Sequence, residues 1–501
     1  MFGSKMQPHC TERRHSSAGR KPQLEGLEQR LLLYSTLGGQ WAYGSRITYS
    51  IPADGTDVAG VPNQMHQAMA DRGITEAQWK FALRRAAALW QSATNINMAE
   101  VPDSGAPMGV PGNQQNDPRF GDIRLFAKPM APEALGQAFL PPPFHGGTLA
   151  GDVVFNSTST WNVGANFDLQ TVAIHEIGHS LGLGHSEFST AVMYDTYNGV
   201  KQGLTSDDIA GIRSLYGVRQ HDWVDQFQNN QTPWSAVNIS GLIDSNRKVT
   251  LSNLDLTSNQ DEDWFYVQAP SNTSGEMIIT MQSKDLSSLS PRFMVYNSAL
   301  QLVAWTVAPS AGSTFGATIS LKFTGVPAGT GLYIRALGWN GSNSGVNGIG
   351  AYALQADFSG GPIPSAIVSP PNTTVLEQPD QGGGFINQMI ASPAQARVPW
   401  TEVLAAPPSL IAQNVGMQGL IHRWDAQPSL EASYGIVEFV QPTRAAVAHF
   451  ARAAFSGGAP LWFTQAIDRV VELDDGDQLM PGSAARRWQW KVEGIGPVDL
   501  S

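Results

Sequence analysis

The stretch TVAIHEIGHSLGLGHSEFSTAVMY, from Thr171 to Tyr194, decides how this sequence reads. On a helix, His175 and His179 stand one turn apart and project from the same face. Two imidazoles so placed can bind one tetrahedral zinc at ~2.0–2.1 Å. Glu176 follows the first histidine and therefore falls beside the metal, where it can take a proton from a metal-activated water. Gly182 stands where the helix must stop. Lacking a Cβ, it can adopt positive φ and turn the chain back. His185 then arrives from outside the helix as third ligand, leaving a fourth position open to water. HExxH alone also occurs by chance in unrelated proteins, and solitary histidines are mostly surface or core residues. The full HExxHxxGxxH adds two constrained positions, and Met193 follows downstream.

This segment resembles the metzincin signature of zinc peptidases, and within it the matrixin (matrix metalloproteinase) branch. Ser186 after the third histidine, VMYDTY, and LTSDDIAGIRSLYG (Leu204 to Gly217) match that branch. ALRRAAALWQSATNI, DIRLF and GQAFLPPP extend the likeness over residues 38–218. The resemblance implies an α+β catalytic domain, a twisted sheet over two long helices with a substrate cleft along the sheet edge. It implies a zinc endopeptidase acting on protein or peptide substrates, with Glu176 as general base. Met193 would form a turn under the zinc and Tyr197 would line the specificity pocket. The strand LGQAFL, with Ala138, would offer substrate an edge to lie on as an extra strand.

Several positions depart from the family pattern. A second, structural zinc is not expected, because Gln137 and Val154 stand at two strand positions where ligands would be needed, and His145 alone cannot build a site. Asp152, in AGDVVF, matches an aspartate that helps bind structural calcium in the family; an ordinary turn aspartate explains it equally well. The family's inhibitory propeptide uses a cysteine, but Cys10, in PHCTERR, shares only the cysteine with that motif and reads as an incidental thiol.

Working outward, the chain is multi-domain. Residues 1–37 are polar and basic and read as a leader; LEGLEQRLLL (Leu24 to Leu33) resembles a short signature near the N-termini of large exported bacterial proteins. Residues 38–218 alternate strands (RITYSI, DIRLFA, LGQAFL, DVVFN) with helices (Gln78–Ser92, Leu169–Gly182, Ser206–Gly217). Residues 219–360 carry seven short alternating strands between Ser/Asn/Gly turns, an all-β sandwich. DEDWFYV and GAYALQADF in this region resemble accessory C-terminal sandwich domains of secreted bacterial peptidases. Such a domain would bind carbohydrate or protein, or shield the catalytic unit. Trp264 is expected in its core, because it alternates with Phe265. Residues 361–430, rich in Pro, Gly, Gln and Ser, read as linker or disordered. Residues 431–501 form a small C-terminal region without an assigned role, with one amphipathic helix candidate (Thr443–Phe455).

The formal net charge of −11 over 501 residues argues against a nucleic-acid partner. A single cysteine forbids an intrachain disulfide. No apolar run reaches membrane-span length, and no clean signal peptide is present, so an extracellular or cell-surface location rests on the resemblance alone. The competing reading is a non-catalytic surface or adhesion protein with a relic peptidase domain, for which loss of Glu176 or of a histidine would be the mark; all are present.

Overall fold

The computed structural model describes residues 35–310, 312–339, 345–376, 388–390, 490–492 and 495–498. The first region is built on β1 (Ile47–Ser50), α1 (Met65–Ala70), α2 (Glu76–Ala93), β2 (Met98–Glu100), β3 (Ile123–Lys128), β4 (Ala134–Ala138), β5 (Val153–Asn156), α3 (Leu169–Ser180) and α4 (Ser206–Tyr216). Their strands form one sheet in the order β4-β5-β3-β1-β2, parallel except for β4. Strands covered on both faces read as near-continuous apolar runs, as VVFN does; IRLFAK, buried throughout, is interrupted by Arg124 and Lys128. Arg124, inside β3, is fully buried and is kept there by Asp103 at 2.8 Å. Such a charge survives burial only when paired.

The two long helices are started by their own side chains. Thr75 and Gln78 form a capping box at α2, and Asp168 accepts the Thr171 N–H at α3. They pack together, and the Trp90 indole of α2 donates to the Ile174 carbonyl of α3 at 2.9 Å. An indole N–H buried without such an acceptor would cost stability, so the bond fixes both the separation and the rotation of the helices.

A short helix α5 (Trp223–Phe227) leads into the second region: β6 (Val237–Asn238), β7 (Lys248–Leu256), β8 (Asp263–Gln268), β9 (Glu276–Gln282), β10 (Pro291–Asn297), β11 (Leu302–Val307), β12 (Thr318–Thr324), β13 (Gly331–Gly338) and β14 (Gly350–Asp357). Two sheets result, β11-β10-β13-β8-β6 and β12-β9-β14-β7, with a shared apolar core between them. All seven strands read from the sequence are present. β6 and β11 add to them. The position of Trp264 differs from expectation. Phe265 and Val267 enter the core, whereas Trp264 is buried on the opposite face against Tyr296 and the Arg335 guanidinium. Period-two alternation allows only one of Trp264 and Phe265 inside, and the sheet chose the phenylalanine.

The two regions are joined by buried polar groups. Gln91 of α2 accepts the N–H groups of Met98 and Ser288 and donates to the Ile349 carbonyl. Arg219 holds Asp255 of β7 through two hydrogen bonds while donating to the carbonyls of Gln91 and Ile96. Phe315 and Val346, from sandwich loops, belong to the same core cluster as α2.

Contacts also run across two of the expected boundaries. Ser35 to Leu37, read as the end of a leader, pair with the loop after α3: Leu37 N–H donates to the Gly182 carbonyl at 3.0 Å and Gly184 N–H to the Ser35 carbonyl at 2.8 Å. Part of the stretch read as linker returns to the first region, where Val375 exchanges hydrogen bonds with Gln114 and Gln115. Further on, β15 (Gln388–Ile390) adds antiparallel to β4 as the outer strand of the first sheet. A backbone hairpin, β16 (Trp490–Val492) with β17 (Ile495–Val498), lies in the C-terminal region. Cys10, the Leu24–Leu33 signature and the Thr443–Phe455 helix candidate lie outside the described residues. No described helix is long and apolar enough to cross a membrane.

Candidate metal centre

Helix α3 is buried along its whole length. It can be so because its polar side chains outside the histidine and glutamate set are paired: Gln170 with Gln202, Thr171 with Asp168, and Ser180 with the Glu176 carbonyl. His175 and His179 project from one face, with ring centroids 4.5 Å apart. After α3, Leu181 closes the last turn. Gly182 turns the chain at φ +105°, packed so closely that a Cβ there would fall 2.1 Å from the Gly39 carbonyl oxygen. The turn delivers His185, whose ring centroid lies 5.2 Å from that of His175 and 4.9 Å from that of His179. Nitrogens of the three rings all lie within 4.8 Å of one another.

The protonation of these rings follows from their partners. Nδ1 of His175 sits 2.8 Å from the Val192 carbonyl, and Nδ1 of His179 sits 2.7 Å from the Leu183 carbonyl. A carbonyl can only accept, so in both rings Nδ1 carries the proton and Nε2 keeps its lone pair. Those two Nε2 atoms face each other at 3.0 Å. Burial, helped by the neighbouring rings, pushes His175 down to about 3 and His179 well below the ordinary imidazole value. Burial also lowers His185 to about 4. Three neutral imidazoles result, as a metal requires of its ligands. A tetrahedral centre with bonds of ~2.0–2.1 Å would space its ligand atoms by roughly 3.3–3.4 Å, close to the Nε2 separation observed.

Met193 lies beneath. Its sulfur packs on Gly178, where a Cβ would come within 2.4 Å of Sδ and 2.9 Å of the Trp90 ring. Gly178 thus lets the methionine and the tryptophan approach the helix. Asp208, in the first turn of α4, closes the capping box with Thr205 and also accepts the N–H groups of Val192 and Met193 at 3.0 and 3.1 Å. The Val192 carbonyl is the one that orients His175, so the cap of α4 is coupled to the first imidazole. Ser186 ties the loop from the other side, its N–H donating to the Met193 carbonyl and its hydroxyl to Asp207.

Glu176 is fully buried and points away from α3 toward the sheet. Its carboxylate lies against Gly136 of β4, where a Cβ would fall 2.6 Å from Oε1. The other expected residues are placed as follows. Tyr197 is buried, stacks on Phe167, and accepts the Asp168 N–H at the start of α3. Ala138 is buried at the end of β4, paired with Val153. Gln137 lies in β4 opposite Val154, and His145 accepts the Leu140 N–H at 2.9 Å. Asp152 is fully buried and accepts the Arg124 N–H, and burial pushes its carboxyl well above the ordinary carboxylate value. Among the described residues, two groups of three side chains could share an ion, His175/His179/His185 and His221/Asp225/Asp261; Asp152 is in neither.

Comparison with known proteins agrees with this geometry: residues 63–217 match the sequence model of the matrixin family. Over these residues the chain is matrixin-like. It is 36% identical over 146 residues to karilysin of Tannerella forsythia, covering 29% of this chain and 30% of that one. It is 39% identical over 142 residues to matrilysin of Rattus norvegicus, covering 27% and 50%. Against neutrophil collagenase of Homo sapiens the figures are 34% over 149 residues, 29% and 30%. The match thus spans between about a third and a half of the length of these relatives. Matrixins bind a catalytic zinc, and the imidazoles of His175, His179 and His185 fit one.

Sequence reading missed Gly136, Gly178 and Asp208. Gly178 had a visible signal, a glycine inside a helix where alanine would be favoured by about 1 kcal/mol. Asp208 had half of one, in the capping box TSDD. Gly136 had none, because its role depends on which helix residue faces β4.

Proposed function

We propose that this protein is a zinc-dependent endopeptidase. The observation that carries the reading is the convergence of three neutral imidazoles with a buried carboxylate, Glu176, against β4, the outermost strand that the catalytic region itself contributes to the sheet. Zinc held by His175, His179 and His185 would supply a Lewis acid and would lower the pKa of a bound water toward ~7. The chain's own residues do the rest. Glu176 holds the proton released from the attacking water and passes it to the departing amine nitrogen. The His175 and His179 rings are held in one tautomer by Val192 and Leu183, so neither ring moves as charge develops. Met193 and Gly182 fix the floor and the turn that bring His185 in.

Substrate lies along β4 as an added strand, in the place that β15 takes in this structure, with main-chain hydrogen bonds holding it in register and Ala138 among its contacts. Tyr197, anchored to the start of α3, forms a wall of the side-chain pocket. Among the described residues no group is placed to capture a chain end, and the added-strand mode of binding suits cleavage within chains. The sandwich steadies the catalytic region through Gln91 and Arg219, and the protein works outside the cell or at its surface.

Replacing Glu176 by Gln keeps shape and polarity and removes the proton acceptor. The variant is expected to keep its zinc and its melting temperature and to lose about 10²-fold or more of its peptide hydrolysis. His179→Ala should lose both zinc and hydrolysis. Zinc stoichiometry measured beside cleavage of a quenched fluorescent peptide separates the cases. A Glu176→Gln variant as fast as the parent would refute the assigned base.

A further inference from the structure

The geometry points to a substrate strand supplied by the chain itself: Gln388–Ile390 lies in the cleft as β15, and a peptide bond there is hydrolysed in cis. This rests on the peptidase reading above. Three observations on different parts of the molecule carry it.

The first is register. β15 pairs antiparallel with β4, placing Gln388 opposite Gln137, Met389 opposite Gly136 and Ile390 opposite Ala134. Gly136 is the residue whose Cα abuts the Glu176 carboxylate. The middle of the added strand is therefore aligned with the proton acceptor, and β15 also contacts α3, the helix that bears His175, Glu176 and His179.

The second is the route by which the strand arrives. The chain leaves the sandwich at β14 and returns to the first region, where Thr374 accepts from the Asn116 side chain and Val375 pairs with Gln115. Leu376 and Gln388 stand twelve positions apart along the chain. A three-residue pairing would be too weak between separate molecules. A tether of this length raises the local concentration of the strand to the order of millimolar, which makes such a pairing effective.

The third is the edge itself. β4 is the last strand contributed by the first region, and an uncovered edge presents unpaired N–H and C=O groups that recruit a further strand. In this chain the recruit comes from its own C-terminal side. The step balances with water as the only co-reactant. The C–N bond breaks, the carbonyl carbon takes the hydroxyl, and the departing amine takes the proton that Glu176 carries. The product is a catalytic-plus-sandwich body with a new C-terminus, released from the remainder of the chain.

The test uses the full chain, purified in the presence of a reversible zinc chelator and then supplied with zinc. Intact mass and N-terminal sequencing follow the chain, while casein hydrolysis is measured in parallel. The expected result is one cut at or beside Met389, with a half-time unchanged on dilution, in a chain that also degrades casein. The Glu176→Gln chain should stay whole. A chain that degrades casein while remaining uncut, or is cut elsewhere, overturns the proposal and leaves the peptidase reading standing. So does a half-time that lengthens in proportion to dilution, since one molecule would then be cutting another. A chain that cuts neither casein nor itself fails at the peptidase reading instead.

Discussion

Gly136 leaves no room for a side chain, because the Glu176 carboxylate lies against it. The group it would strike is the far end of a flexible side chain rather than backbone, so Gly136→Ala should cost the fold little, about 1 kcal/mol or less. Catalysis is another matter, since a displacement of ~1 Å at a reacting group can cost on the order of 10²-fold. The expected outcome is unchanged zinc content and melting temperature with kcat/KM lowered about 10-fold to 100-fold. Gly182→Ala should behave in the opposite way, because it combines φ +105° with a backbone oxygen at 2.1 Å. It should lower stability by several kcal/mol, seen as a fall in the denaturation midpoint. At this scale the sequence was highly legible where one helix or one turn set the geometry: His175, His179, Gly182 and His185 are brought together as their spacing implied. It was silent on Gly136, whose neighbour is forty residues away along the chain and is found only once β4 is laid over α3.

Helix α4 does more than close the catalytic region. Its capping residue Asp208 accepts four hydrogen bonds from Thr205, Val192 and Met193, so a terminal cap doubles as the support of the methionine turn. Asp208→Ala is expected to cost about 2–4 kcal/mol, more than an isolated cap, because buried N–H groups are left unpaired. It should also weaken zinc retention, since the Val192 carbonyl orients His175. Denaturant titration and competition with a zinc chelator would measure the two effects separately. Element types were largely readable, because each long helix carries its own cap and each internal strand an apolar run. The short α1, β2, β6 and β11 were not. Elements of so few residues carry too little periodicity to separate from loops, and they hold their form through neighbours rather than propensity. Trp264 shows the same limit: alternation said that one of two adjacent aromatics must face out, and only the partner sheet decides which.

For the molecule as a whole, the sequence placed a boundary near residue 218, and a change in texture does occur there. The contacts nevertheless run across it. A fragment ending at 218 would strip Gln91 of its Ser288 and Ile349 partners and remove Phe315 from beside Phe81. Loss of such partners should lower stability by at least about 3 kcal/mol, so residues 35–218 are expected to melt earlier than residues 35–376 and to aggregate on concentration. Calorimetry of the two fragments would show it, and equal melting temperatures would mean that the junction contributes nothing. The other end of the catalytic region matters in a different currency. Ser35, Thr36 and Leu37 strap the loop from Gly182 to Gly184, the segment that leads directly to His185. Amide hydrogens of Leu37 and Gly184 should accordingly exchange slowly with deuterium, in step with each other. An expression fragment begun at residue 38, the start suggested by texture alone, would cut that strap: exchange at Gly184 would quicken, and the third imidazole would lose its fixed address while the first two kept theirs.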